Sequence, residues 1–425
     1  MTAHSVKEHP VHQTEQRPAT LQLFMKWLFC LYPVSLIMNK MANDAVSALI
    51  FLAACASLVI YRRDLKTSLA SARGKWMLAL TLPLVMVTVQ YFALPEVMAL
   101  RDLDDMSRFF LCLPVYLALL VLRPDIRPFL WGCAYFTVYS MGLMFWHMHV
   151  AGLDRGISPN GFLGTIPQTS LSIILSMAAL RLWVAPDGAL RQRIAPALLL
   201  VVAFSVPLLS QTRSGLALAL ALGIMLWLLL PRKNLRVLLI GVAAAAVVMV
   251  VVMTNSSLWA RGDQTVAEIE HYMTEDHFVS TSTTTRLELW RFAGRMFAEH
   301  PLIGVGNHKF GATLASYKRI GETPAELGLF THPHNDFLKF AAEGGMLGVA
   351  AVGLLYFAPL LAGLRRYRQH RSAASMALPL IVVCSGFLFA SMVDVVLAWR
   401  PTIMFYGLAA SLLLANMDTA PEATV

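Results

Sequence analysis

An all-α polytopic membrane protein is the fold class the sequence predicts, on three observations. Hydrophobic residues make up 57% of the 425 residues and charged residues only 14%, more apolar surface than a soluble fold of this length buries. The apolar residues fall in about twelve runs, each near the length that crosses a hydrocarbon core of roughly 30 Å. The basic residues between the runs gather on alternate loops, as they do when a chain weaves through a bilayer.

In order, the runs cover residues 21–38, 45–60, 76–94, 109–122, 129–150, 161–180, 194–209, 216–230, 237–253, 346–364, 377–397 and 402–415. Lys26 and Pro33 interrupt the first, and the fourth and the last are short. With the N-terminus inside, the inner loops carry Arg62, Arg63, Lys66, Arg73, Lys75, Arg123, Arg127, Arg181, Arg191, Arg193, Arg232, Lys233, Arg236, Arg365, Arg366, Arg368 and Arg371. The short outer loops carry only Lys40, Arg101, Arg108, Arg155, Arg213 and Arg400. That asymmetry puts both termini in the cytoplasm. The net charge of +9 is then a topology signal and not a sign of nucleic-acid binding.

The expected organisation follows. Residues 1–20 form a cytoplasmic tail and 21–253 hold the first nine spans. Residues 254–335 form an outer loop, too long to lack structure and expected to carry amphipathic helices. Residues 336–416 hold a short outer helix start and the last three spans, and 417–425 form a second tail. The first twenty residues are polar and no small-residue cleavage site follows the first run, so that run reads as a signal anchor. All five cysteines (Cys30, Cys55, Cys112, Cys133, Cys384) lie inside runs, which points to packing and not to disulfides. The inner loops are short and contain no Walker-type glycine loop, which argues against a cytoplasmic ATPase or kinase module.

Four outer segments contain the candidate chemistry. In 280–290, Thr285 and Glu288 have capping-box spacing, so a helix is expected from there to about Glu299. Its apolar residues Leu289, Trp290, Ala293, Met296 and Phe297 recur at helical spacing and suit a membrane surface. Arg286 would sit in the first turn, a poor place for a lone cation but a good one if an anion shares it. A solvated surface arginine is the other reading. In 210–215, Arg213 again stands at a helix start, where Ser214 or Thr212 can cap. It either snorkels to lipid phosphate or binds a substrate anion. Arg155, beside Asp154, has a local structural role as its competing reading.

In 331–338, Pro333 suits a first helical position and presents His334 at the helix start. The dipole there favours neutral imidazole, the form that takes a proton. A structural or capping histidine is the alternative. His300, His308, His332 and His334 lack the usual spacing of zinc ligands, and no cysteine joins them. Asp102, Asp104 and Asp105 form a DxD-like run, read first as a solvated loop and second as a metal site for a lipid-phosphate donor.

Taken in order, these segments resemble the O-antigen ligase and polymerase superfamily of bacterial envelope proteins. The matching pieces are the turn 212–215, Thr285-Arg286 with Trp290, the P-x-x-G-x-G segment at 301–306, and His334-Asn335-x-x-Leu338 followed by Glu343-Gly344-Gly345-x-x-Gly348. The resemblance covers the second half of the chain well and the first half by topology alone. It implies a GT-C-like helical glycosyltransferase in the bacterial inner membrane with a periplasmic active site. It further implies an undecaprenyl-diphosphate-linked glycan as donor and lipid A–core oligosaccharide as acceptor, among membrane lipid, with no cofactor, metal or nucleotide. The compact length with one modest outer loop fits a ligase better than a polymerase or a protein O-oligosaccharyltransferase. On that reading His334 is the base, Arg213 and Arg286 stabilise the leaving diphosphate, and Arg155 assists in binding it. A transporter or flippase of a lipid-linked glycan is the reading from another class, and it would show related halves or broken helices near the midplane.

Overall fold

The computed structural model describes residues 19–71, 77–153, 163–182, 190–230, 266–270, 272–274, 280–319, 327, 329–369 and 376–419. They are helical throughout, with no strand among the described residues. The helices are α1 (Ala19–Met38), α2 (Lys40–Ile60), α3 (Arg62–Ser71), α4 (Met77–Ala93), α5 (Asp104–Leu122), α6 (Arg127–His149) and α7 (Thr165–Ala179). They continue with α8 (Leu190–Leu209), α9 (Arg213–Leu229), α10 (Ser282–Glu299), α11 (Phe310–Arg319), α12 (Asp336–Gln369), α13 (Ala377–Ser391) and α14 (Arg400–Thr419).

Among the described residues, five helical stretches are long and apolar enough to cross a membrane: Thr20–Met38, Lys40–Ile60, Leu100–Leu122, Arg127–His149 and Asp336–Gln369. Shorter apolar helices occupy Ala79–Ala93, Leu198–Leu209, Arg213–Leu229 and Ala377–Ser391. The run expected at 237–253 lies outside the described residues. One large apolar core joins the bundle, with Phe29, Phe129, Phe387, Phe405 and Tyr406 among its fully buried rings. Outward faces stay apolar too: Trp131, Tyr135 and Tyr139 on α6 and Trp227 on α9 are exposed, as expected where lipid is the solvent.

Two contacts fix the sense of the helices around the candidate site. The Arg181 guanidinium, just past α7, reaches the Met376 sulfur just before α13 at 3.8 Å, so these helices are antiparallel. The Tyr367 hydroxyl, late in α12, donates to the Leu229 carbonyl at the end of α9, so these run parallel. The starts of α7 and α9 and the end of α13 therefore share one end of the bundle.

The sequence leads one to expect a short helix start near His334 that runs through Gly344-Gly345 into the tenth run. The structure instead breaks α12 at Gly345 (φ 58°, ψ −149°) and folds it back on itself. Two observations show the reversal. Asp336 accepts a hydrogen bond from the Tyr356 hydroxyl at 3.3 Å, and the Phe337 and Tyr356 rings lie 5.8 Å apart. Residues 336–344 are thus the short arm of a hairpin and 346–369 the long arm. A break leaves backbone groups without partners, which is costly where water is absent. Here the segment after α10 supplies them. Met346 N donates to Pro301 O at 2.8 Å and Leu347 N to Leu302 O at 3.3 Å, while Ala342 O and Glu343 O accept from Val305 N and Gly306 N, each at 3.0 Å. Gly304 has φ +68°, and a Cβ there would lie 2.3 Å from the Glu343 carbonyl carbon. The P-x-x-G-x-G segment is thus the backbone complement of the broken helix.

The segment between α9 and α12 builds, among its described residues, a small core of its own. Leu289, Phe292, Ala293 and Met296 of α10 pack with Val305, Phe310, Leu314, Tyr317, Leu327 and Ala342. The apolar face of α10, expected on a membrane surface, is spent on protein, because α11 and the short arm lie against it. The helix also starts about a turn earlier than expected. Thr281 is the N-cap: its hydroxyl accepts from Thr284 N at 3.2 Å, and Thr284 Oγ1 accepts from Thr281 N at 3.0 Å. Glu288 is drawn elsewhere, accepting from the Tyr272 hydroxyl at 3.0 Å and Arg291 Nε at 2.8 Å.

Candidate functional site

Three consecutive side chains at the foot of the short arm grip one loop. His334 Nδ1 lies 3.1 Å from Asp394 Oδ1. Asn335 Nδ2 donates to Met392 O at 3.0 Å. Asp336 accepts from Ser391 Oγ at 2.7 Å and from Leu397 N at 3.1 Å. Asn335 also caps the helix, its Oδ1 accepting from Leu338 N at 3.1 Å. His334 therefore precedes the cap and has a left-handed backbone (φ 52°), instead of standing in the first turn behind Pro333. Nine residues separate Asp336 from the break at Gly345, which at 1.5 Å of rise sets it about 13.5 Å along the arm from the hairpin tip.

Asp394 is the partner that sequence reading missed. It is the sole carboxylate in the apolar stretch 377–397, and an acidic residue in such a stretch is a signal in its own right. Its Oδ1, which faces His334, also accepts from the Val395 amide at 2.9 Å. An ionised carboxylate only accepts, so His334 donates its Nδ1 proton and Nε2 is the nitrogen left to act as base. The sequence ascribes a neutral imidazole to the helix dipole; which of its nitrogens is free is set by a side chain sixty residues away in the chain.

His332 packs edge-on against His334, ring centroids 4.5 Å apart at 83°. Its Nδ1 is buried without a hydrogen-bond partner. Burial, reinforced by the His334 charge, pushes the His332 imidazole down to about 4, from about 6.5 in an unfolded chain. The unfolded chain therefore takes up this proton at higher pH than the fold does. The stability that neutral His332 contributes is present above about pH 6.5 and is lost as pH falls towards 4. Melting curves in detergent across that window should fall less steeply for His332→Gln than for the parent; parallel curves would contradict this.

The candidate arginines lie as follows. Arg286 sits in the second turn of α10 and not the first, because Thr281 caps the helix, so a helix-terminus anion pocket does not form around it. Four residues on, on the same face of the helix, Trp290 Nε1 donates to Pro333 O at 2.9 Å. That bond ties α10 to the peptide next to His334 and sets Arg286 one turn from it. Arg213 is the first residue of α9, at the end of the bundle where α13 finishes beside Asp394. Thr212 occupies the N-cap position without a side-chain capping bond; its hydroxyl lies 2.9 Å from Ser210 Oγ. Arg155 lies outside the described residues.

The DxD-like run is not an open, solvated loop, although Asp104 stays partly exposed. Asp102 and Asp105 are buried. Asp102 binds Lys309 Nζ at 2.7 Å, Asp105 binds His308 Nε2 at 3.0 Å and Arg400 Nε at 2.8 Å, and Asp104 binds Arg400 Nη2 at 2.8 Å. Together with Asn307 Nδ2 on Asp102 O at 2.7 Å, these pairs clamp the segment after the P-x-x-G-x-G motif and the start of α14 onto α5. Gln90 of α4 adds to the clamp, donating to Ile303 O and Glu343 O and accepting from Asn307 N. Among the described residues no group of three or more His, Cys, Asp or Glu is arranged to hold a metal ion.

Apolar helices of membrane-crossing length, with a His–Asp pair at one end of the bundle, are the features of a helical membrane protein. Residues 198–353 match the family model described as O-antigen ligase, so this stretch of the chain is similar to that family. No curated protein matches the chain. The matched stretch holds Arg213, Arg286, His334 and the hairpin break, and ends before Asp394.

Proposed function

We propose that the protein transfers O-antigen polysaccharide from undecaprenyl diphosphate to lipid A–core oligosaccharide at the periplasmic face of the inner membrane, without metal or nucleotide. The observation that carries this is the His334–Asp394 pair, whose histidine lies in the stretch that matches the O-antigen ligase model. Asp394 holds the imidazole so that Nε2 takes the proton of an acceptor hydroxyl. That oxygen attacks the anomeric carbon from the face opposite the leaving group, the bond to the carrier diphosphate breaks, and configuration inverts. Negative charge then builds on the diphosphate. Arg286 and Arg213 stabilise it as fixed guanidinium forks, and Arg155 is proposed as a weaker third contact.

Removing one fork has a measurable cost. Hydrogen bonds to charged groups contribute about 1.5–3 kcal/mol, so Arg286→Ala or Arg213→Ala is expected to weaken carrier-diphosphate binding roughly ten- to hundredfold. Lysine at either position should recover only part, because an ammonium does not bind two oxygens in a fixed fork. Binding of a carrier-diphosphate analogue to purified variants measures this; unchanged affinity in both alanine variants would remove the arginines from the donor site.

A transporter of the same lipid-linked glycan is the second reading, and the break at Gly345 is what favours it. Against it, the amides of Met346 and Leu347 and the carbonyls of Ala342 and Glu343 are taken by the chain itself and do not face a solute. Purified protein offered carrier-linked glycan with either lipid A–core or a second carrier-linked glycan separates the readings. A product on lipid A–core supports the ligase, a product on the second carrier makes the protein a polymerase, and no covalent product from either pair leaves the transporter.

A further inference from the structure

We propose that Asp336 is a positioning residue for the His334–Asp394 pair: it fixes both ends of the loop that carries Asp394. Asp336 is fully buried and touches neither His334 nor Asp394 through any of its hydrogen bonds. Its carboxylate instead accepts from Ser391 Oγ at 2.7 Å and from Leu397 N at 3.1 Å, the residues three before and three after Asp394. The Tyr356 hydroxyl of the long arm bonds to both Asp336 and Ser391. The loop is thereby tied to both arms of the hairpin, and two residues before Asp336 the same arm presents His334. One buried carboxylate thus keeps the distance between two groups carried by segments far apart in the chain. Loss of that tie lets Asp394 drift while His334, Asn335 and the helix cap stay in place.

The proposal takes His334 as the base, so the test reads the pair both through activity and without it. In protein labelled with ¹⁵N-histidine, the Nδ1–H proton of His334 bonded to Asp394 gives a downfield signal, assigned by its loss in His334→Gln. Asp394→Asn should shift or abolish it, and Asp336→Asn should do the same although it leaves both partners intact. In the transfer assay, Asp336→Asn should lower kcat roughly tenfold or more with KM little changed. It should add little to the loss already caused by Asp394→Asn, because coupled residues are not additive. A signal unchanged in Asp336→Asn, or losses that add in full, overturns the proposal. Ser391→Ala, which cuts one tie and leaves the carboxylate, should give a smaller change in the same direction and decides the matter if Asp336→Asn does not fold. A chain without transferase activity would sink the functional reading, while the proton signal would still decide the role of Asp336.

Discussion

His334→Ala is expected to abolish glycan transfer while leaving the carrier-linked donor bound. General base catalysis contributes about 10²–10⁴-fold to a rate, and among the described residues no second base is placed to substitute. His332 touches the His334 ring, but its Nδ1 is buried and it lacks the carboxylate that orients His334. The arginines are carried by α9 and α10, so donor affinity should survive the substitution. Single-turnover transfer and donor binding, measured on the same preparation, separate the two effects. Asp394→Asn should follow the same pattern more mildly, since the imidazole remains but its ring orientation and tautomer are no longer held. Near-normal transfer in His334→Ala would remove it as the base, and with it the mechanism.

Gly345→Ala is expected to have the largest effect on stability. The break places this residue near a backbone region that only glycine occupies readily, at a cost of about 1–3 kcal/mol for any other residue. An added Cβ would also lie 2.5 Å from the Leu302 carbonyl carbon and 2.7 Å from Ile303 N. Those atoms are backbone and belong to the segment that satisfies the broken helix, so neither side yields without losing hydrogen bonds. A loss of about 3 kcal/mol or more is expected, seen as a lower melting temperature and poor recovery of monodisperse protein in detergent. Gly353→Ala is the control. It lies in the long arm with nothing within 4 Å of an added Cβ, and alanine inside a helix gains up to about 1 kcal/mol over glycine. Melting of the Gly345 variant within a degree or two of the parent would mean that the hairpin does not turn as described.

The candidate site was only partly legible in the sequence. His334 stood out because a histidine between proline and an asparagine cap, ahead of an apolar run, is rare in a chain with so few charged residues. Arg286 and Arg213 stood out because arginine is costly at an apolar boundary. Asp394 did not, because its meaning lies in a partner sixty residues back. The DxD-like run misled for the same reason: Asp102 and Asp105 look solvated until Lys309, His308 and Arg400 are seen folded onto them. The capping box at 285–288 misled because Thr281 and Thr284 compete for the same helix start one turn earlier.

What the sequence by itself determined is the helical class, the apolar runs that the described helices occupy, and the place of His334 just ahead of a helix start. Each of these depends on quantities summed over neighbouring residues, such as hydropathy, period and charge. Only the tertiary structure decided that α12 doubles back at Gly345, that the 301–306 segment completes its backbone hydrogen bonds, and that Asp394 meets His334. Those outcomes depend on which distant backbone and side-chain groups satisfy one another where water does not reach, and local composition carries no record of that pairing.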